Sequence, residues 1–234
     1  MKKFLVMVMA VLAIAGFAKL APAEASVFSV WADTNNDAVK DLFLGNILSY
    51  NGTITPEDNY NYINYSGAPT FGPQLEADAL KMFIYERTTN GYDFLNVIAG
   101  KDGVGSGHSF SATVDITGSS PTEPVVRVAD DPAELTEPSD DHFVGNWAYL
   151  AGKTDGGVIG PLTGNWEAVL TPGQDNDTGL SHGFYSADGS VVSLDGAAAP
   201  YYRFFVSPGA TVVPEPASMA LLGLGLLGLL RRKR

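Results

Sequence analysis

The sequence predicts a mainly β protein, an antiparallel β-sandwich-like domain with one short helix, followed by a C-terminal hydrophobic helix. Three observations carry this. Gly, Pro, Asn and Asp recur about every eight to twelve residues, and the runs between them are short and rich in Val, Phe, Tyr and Thr. Ser109 to Thr117 alternates, with Phe110, Ala112, Val114 and Ile116 on one face, as a half-buried strand does. Met82 to Glu86 and Tyr92 to Ile98 flank Asn90-Gly91, a pair suited to the two positive-φ positions of a type I′ hairpin turn.

Taken in order, the helix falls first. Leu75, Ala79, Met82 and Phe83 follow helical spacing, and Glu76 and Asp78 suit a first turn. The hairpin and the Ser109 strand come next, then Val125 to Val128, Phe143 to Leu150, Trp166 to Leu170, Ser190 to Leu194 and Tyr201 to Val206. The acidic, Pro-rich stretch 119–141 reads as a long surface loop that crosses one sandwich or links two small domains. Gly-Asn-Trp occurs at Gly145 to Trp147 and Gly164 to Trp166, which suggests two neighbouring strands that begin alike, with both tryptophans in the core.

The chain ends carry targeting signals. Lys2 and Lys3 precede an apolar stretch from Phe4 to Ala18, and Ala23-Glu24-Ala25 offers small residues for cleavage, so residues 1–25 read as a signal peptide. A retained N-terminal anchor is the alternative. Residues 26–212 form the extracytoplasmic domain. From Ser26 to Val213, seven Lys/Arg face twenty-four Asp/Glu, a net charge of −17. That acidity disfavours nucleic acid and anionic lipid as partners. With no cysteine, disulfides and thiolate metal sites are excluded.

At the other end, Pro214 and Pro216 keep helix from starting before residue 217. The uncharged run 217–230 would span about 21 Å as a helix against a hydrocarbon core of roughly 30 Å, short for a membrane crossing. Arg231, Arg232, Lys233 and Arg234 would lie on the cytoplasmic side and snorkel toward headgroups. Val213-Pro214-Glu215-Pro216, the Gly/Leu-rich segment and the basic end together resemble the PEP-CTERM sorting signal of Gram-negative bacteria, over residues 213–234. An ordinary tail anchor is the competing account. The resemblance implies that an exosortase, a membrane-embedded transpeptidase, recognises Pro214-Glu215-Pro216 and removes the apolar segment. It implies transient anchorage at the inner membrane, then the cell surface or extracellular matrix, with exopolysaccharide as an associated partner.

The best chemical motif is Asp33-Thr34-Asn35-Asn36-Asp37-Ala38-Val39-Lys40-Asp41. Side-chain oxygens at Asp33, Asn35, Asp37 and Asp41, with the Val39 carbonyl, suit a hard cation such as Ca²⁺. Carried through Gly45, the stretch resembles the calcium loop of integrin-type FG-GAP repeats. Ala38 stands where such loops want Gly, and Leu44 where an EF-hand has its bidentate Glu. An Asx-rich capping turn is the plainer account. Asp175, Asn176 and Asp177 read as a solvated turn. Tyr60, Tyr62 and Tyr65, interleaved with Asn59, Asn61 and Asn64, could stack on sugar faces while the amides bond hydroxyls.

No catalytic residue is assigned. Gly179-Leu180-Ser181-His182-Gly183 has the letters of a nucleophile elbow without its strand-to-helix setting. Gly152-Lys153-Thr154, followed by Asp155-Gly156-Gly157, reads as a turn, and both it and the Gly103, Gly105, Gly107 loop lack the helix that phosphate and dinucleotide sites need. His108, His142 and His182 define no metal spacing. The expected function is that of an exported, exosortase-sorted protein with a non-enzymatic core. The alternatives are a polysaccharide-binding module with structural calcium and, behind it, an extracellular hydrolase.

Overall fold

The computed structural model describes residues 25–62, 68–74, 79–100, 108–149, 153–175, 181–195 and 201–209. In chain order the elements are β1 (Val27–Asp33), β2 (Leu42–Leu48), β3 (Tyr50–Gly52), α1 (Pro56–Tyr60), β4 (Ala79–Arg87), β5 (Tyr92–Gly100), β6 (His108–Thr117), β7 (Val125–Ala129) and β8 (Leu135–Ser139). They continue with β9 (His142–Tyr149), β10 (Thr154–Leu162), β11 (Glu167–Asp175), β12 (Ser181–Tyr185), β13 (Val191–Ser193) and β14 (Arg203–Pro208).

The strands form two seven-stranded sheets, ordered β2-β1-β14-β11-β6-β9-β8 and β13-β12-β4-β5-β10-β7, with β3 added beside β4. The first is antiparallel throughout. The second is mixed, because β12 and β3 both pair parallel with β4. The main core lies between the sheets, where Phe28, Val30, Met82, Ile84, Leu95, Val97, Phe110, Val114, Trp147 and Trp166 are buried together. The inward set of β6 is the predicted one.

A smaller cluster, Tyr60, Phe83, Tyr85, Phe94, Ile98 and Val158, covers the far side of the second sheet. β4 and β5 are therefore apolar on both faces, as doubly covered strands are. This corrects the predicted helix: residues 75–78 lie outside the described set, and Ala79, Met82 and Phe83 belong to β4. A continuous apolar run satisfies helical spacing as readily as strand burial. The observed helix is α1. Thr55 caps it by accepting the Asp58 amide at 3.1 Å, Pro56 starts it, and Asn61 ends it at φ 49°.

The hairpin stands where it was predicted, but its turn differs. Arg87 pairs with Tyr92, so the loop is Thr88 to Gly91; Gly91 takes φ 66°, and its amide donates to the Arg87 carbonyl at 2.9 Å. A four-residue loop needs only that one left-handed residue, and Asn90 is not in that conformation. The stretch 119–141 holds, besides the predicted strand at Val125 to Val128 (β7), a further strand, β8, and so is not a bare loop. Nor are the two Gly-Asn-Trp segments on adjacent strands: β6 lies between β9 and β11, and Gly145 is inside β9.

β1 starts where β14 ends, with Phe28 opposite Pro208 and the Gly209 amide donating to Val27 at 2.8 Å. Asp33 and Arg203 mark the opposite pole, about 20 Å away along six strand steps. The chain therefore enters and leaves the sandwich at one pole, and the Asp33–Asp41 loop caps the other.

Candidate functional site

The loop after β1 is organised around Asp33, which has no exposed surface. Its Oδ1 accepts the Asn35 and Asn36 amides at 3.1 and 2.6 Å, and its Oδ2 accepts the Ala38 amide and the Arg203 guanidinium at 2.9 Å each. Burial works to raise its pKa, but the three amides and the guanidinium overcome it and hold the carboxyl below its ordinary range. Asn35 Oδ1 accepts from the Asp37 amide at 3.1 Å, and Asp37 Oδ1 from the Val39 amide at 2.9 Å. Asp41 Oδ2 accepts from the Thr34 amide and hydroxyl at 2.9 and 3.1 Å.

Of the five predicted ligand residues, Asp33, Asp37 and Asp41 bring carboxylate oxygens within 4.8 Å of one another. Ala38, at the position where Gly was expected, adopts φ 64°, so the backbone makes the sharp turn without glycine. Leu44 lies on β2 against the core and supplies no oxygen. Asp33, the buried member of this group, is already partly neutralised by Arg203.

Sequence reading missed a second acidic group. Asp130, Glu134 and Asp155 bring carboxylate oxygens within 4.8 Å of one another. Asp155 is 5% exposed and lies in β10, whose Gly156-Gly157 suggested a turn. The glycines are instead required by close packing: a Cβ on Gly156 would stand 2.0 Å from the Val97 carbonyl oxygen. No spacing rule relates Asp155 to Asp130, since β8 and β9 intervene.

In the aromatic–amide stretch, Tyr60 and Asn59 are not placed for sugar contact. Tyr60 is wholly buried in the second cluster and donates to Asp130 Oδ2 at 2.9 Å, so its ring is unavailable for stacking. Asn59 is also buried and holds Phe71 through its main chain. Tyr62 is 40% exposed, and Tyr65 lies outside the described residues.

Ser181 opens β12, which runs as a strand to Tyr185, so no elbow forms there. His182 Nδ1 lies 2.8 Å from Asp195 in the second sheet, and His142 Nδ1 lies 2.6 Å from Asp115 in the first. These two histidines do not converge. The segments 1–24, 101–107, 176–180 and 210–234, with the sorting residues Val213, Pro214, Glu215 and Pro216 and the predicted helix 217–230, lie outside the described residues. Among the described residues, no helix is long and apolar enough to cross a membrane.

Compared with known proteins, the chain matches the family description "PEP-CTERM protein-sorting motif" over residues 212–234. Comparison with curated proteins and with solved structures found no match. The tail thus carries a PEP-CTERM sorting motif, on a mainly β chain whose middle has no family assignment.

Proposed function

We propose that this is an exported protein, sorted through its C-terminal motif by an exosortase and left outside the cytoplasm with a non-enzymatic β-sandwich as its working part. The observation that carries the reading is the motif match over residues 212–234, three residues beyond the last described residue of the sandwich. The polarity of the fold supports it: the tail leaves β14 at the pole opposite the Asp33–Asp41 loop, so a chain held by its tail presents that loop outward. The signal-peptide reading of residues 1–25 agrees. The test is an epitope placed after Arg234 in an exosortase-bearing host. The native chain loses the epitope, and replacement of Pro214, Glu215 and Pro216 by Ala retains it; equal retention in both refutes the reading.

A second reading, a polysaccharide-binding module steadied by calcium, is favoured by the convergence of Asp33, Asp37 and Asp41 and the left-handed Ala38. Tyr62, 40% exposed, is then a ring open to sugar contact. Calcium that binds only the folded form raises the melting midpoint over that in chelator. An unchanged midpoint at millimolar calcium removes the site.

A further inference from the structure

The Asp130, Glu134 and Asp155 group plays no part in either reading, yet it sits where four elements meet. Asp130 follows β7, Glu134 lies in the β7–β8 connection, and Asp155 is on β10. From β9 in the first sheet, the Ala148 amide donates to Asp155 Oδ2 at 2.8 Å. From β10, the Gly156 amide donates to Asp155 Oδ1 at 2.8 Å and to Asp130 Oδ1 at 3.3 Å. From α1, the Tyr60 hydroxyl donates to Asp130, and within the connection the Asp131 amide donates to Glu134 Oε2 at 3.0 Å. The Asn146 amide of β9 donates to the Glu134 carbonyl at 2.7 Å. One knot of carboxylates therefore ties α1 and the β7–β8 connection to both sheets.

Three carboxylates this close, one of them buried, do not all ionise without strong mutual repulsion. We propose that Asp130, Glu134 and Asp155 form a proton-dependent clasp: sharing protons, they fasten α1 and the β7–β8 connection to the sandwich, and on full ionisation they let both go. Burial first, and then Asp130 and Glu134, pushes Asp155 up to about 9; burial pushes Glu134 up to about 7, with Asp130 adding to the rise and the hydrogen bond to Asp155 opposing it. The titratable groups around them reinforce this. Tyr60 from α1 and Tyr62 beyond it both feel the cluster's charge, and Asp131 adds another carboxylate. The cations these elements carry are Arg127 on β7, held by Glu57 of α1 at 2.6 Å, and Lys153 just before β10. β5, opposite Gly156, presents Ile98 and no charge. Release would uncover the second apolar cluster around Tyr60, Phe83 and Tyr85.

Because the folded-state values are raised, the folded chain binds more protons than the unfolded one between the ordinary carboxylate range and about pH 9, and the clasp weakens as pH rises through that window. The test is hydrogen exchange of the full chain in chelator, which keeps stray cations from replacing the proton, read peptide by peptide and corrected for intrinsic rates. Protection of peptides covering 56–62 and 130–136 falls about tenfold or more between about pH 5 and about pH 9, while peptides of β6 and β11 hold theirs. Glu134→Gln combined with Asp155→Asn removes the pH dependence, and Glu134→Gln alone, the milder change, reduces it. Equal protection at both pH values in the native chain, or a fall undiminished in the Glu134→Gln chain, overturns the clasp.

Discussion

Arg203, the first residue of β14, stands opposite Asp33, the last residue of β1, and closes a 2.9 Å ion pair onto its Oδ2. The guanidinium comes from the strand that leads into the sorting tail, so the outer loop and the route to the tail share one strand. The same pair fixes the Asp33 side chain from which the loop hangs.

Removing the guanidinium leaves a buried carboxylate without its cation, whereas neutralising an exposed member of the loop does not. Arg203→Met lowers the melting midpoint by roughly 4 °C or more, and Asp37→Asn shifts it little in chelator. The lowered pKa of Asp33 gives an acid-side sign: its contribution is present above the ordinary carboxylate range and is lost as pH falls below it. Melts of the native chain and of Asp33→Asn across acid pH check this; the slope is shallower in Asp33→Asn.

Asp93 behaves in the opposite way. Burial pushes it up to about 7, partly offset by the Trp166 indole N–H donating at 2.9 Å. The folded chain holds this proton more tightly, so the stability contribution is full below about pH 4 and is lost as pH rises to about 7. Urea midpoints of the native chain and Asp93→Asn diverge in that window, with the variant showing the flatter profile.

Gly145 faces the ring of Trp147, and an added Cβ would stand 2.1 Å from its Cη2. Trp147 is 1% exposed and stacked on Phe110 at 5.7 Å, so the ring has no room to retreat. Gly145→Ala destabilises by about 1–3 kcal/mol in denaturant titration, and a loss below about 0.5 kcal/mol would contradict this packing.

Tyr60 is a core residue with a polar handle. Tyr60→Ala costs about 3–5 kcal/mol, and Tyr60→Phe, which leaves the ring and removes the bond to Asp130, about 1.5–3 kcal/mol. Tyr62→Ala stays within about 0.5 kcal/mol in the same titration, since Tyr62 is an exposed residue outside both apolar clusters.

Local patterns made the β class, the hairpin and the inward face of β6 readable before any coordinates, because each depends on neighbours within a few residues. What escaped depended on distant partners. β10 was hidden because Gly156 and Gly157 signal a turn locally but are demanded by Val97 and Leu135 packed against them. The start of β4, from Ala79 to Phe83, passed for a helix because a second apolar layer covers its outer face. The Asp33 loop was visible as one contiguous run, but its hold by Arg203, 170 residues away in sequence, was not. Tyr60 was misjudged as a surface ring because its burial is decided by β4, β5 and Asp130, none of them near it in sequence.

The central claim is that the tail is a processing signal on an exported sandwich. The most direct test is the intact mass of the protein recovered from paired cells with and without an exosortase. The account predicts a chain lacking the apolar segment and its basic end in the first and retaining both in the second; identical masses, each extending to Arg234, would contradict it.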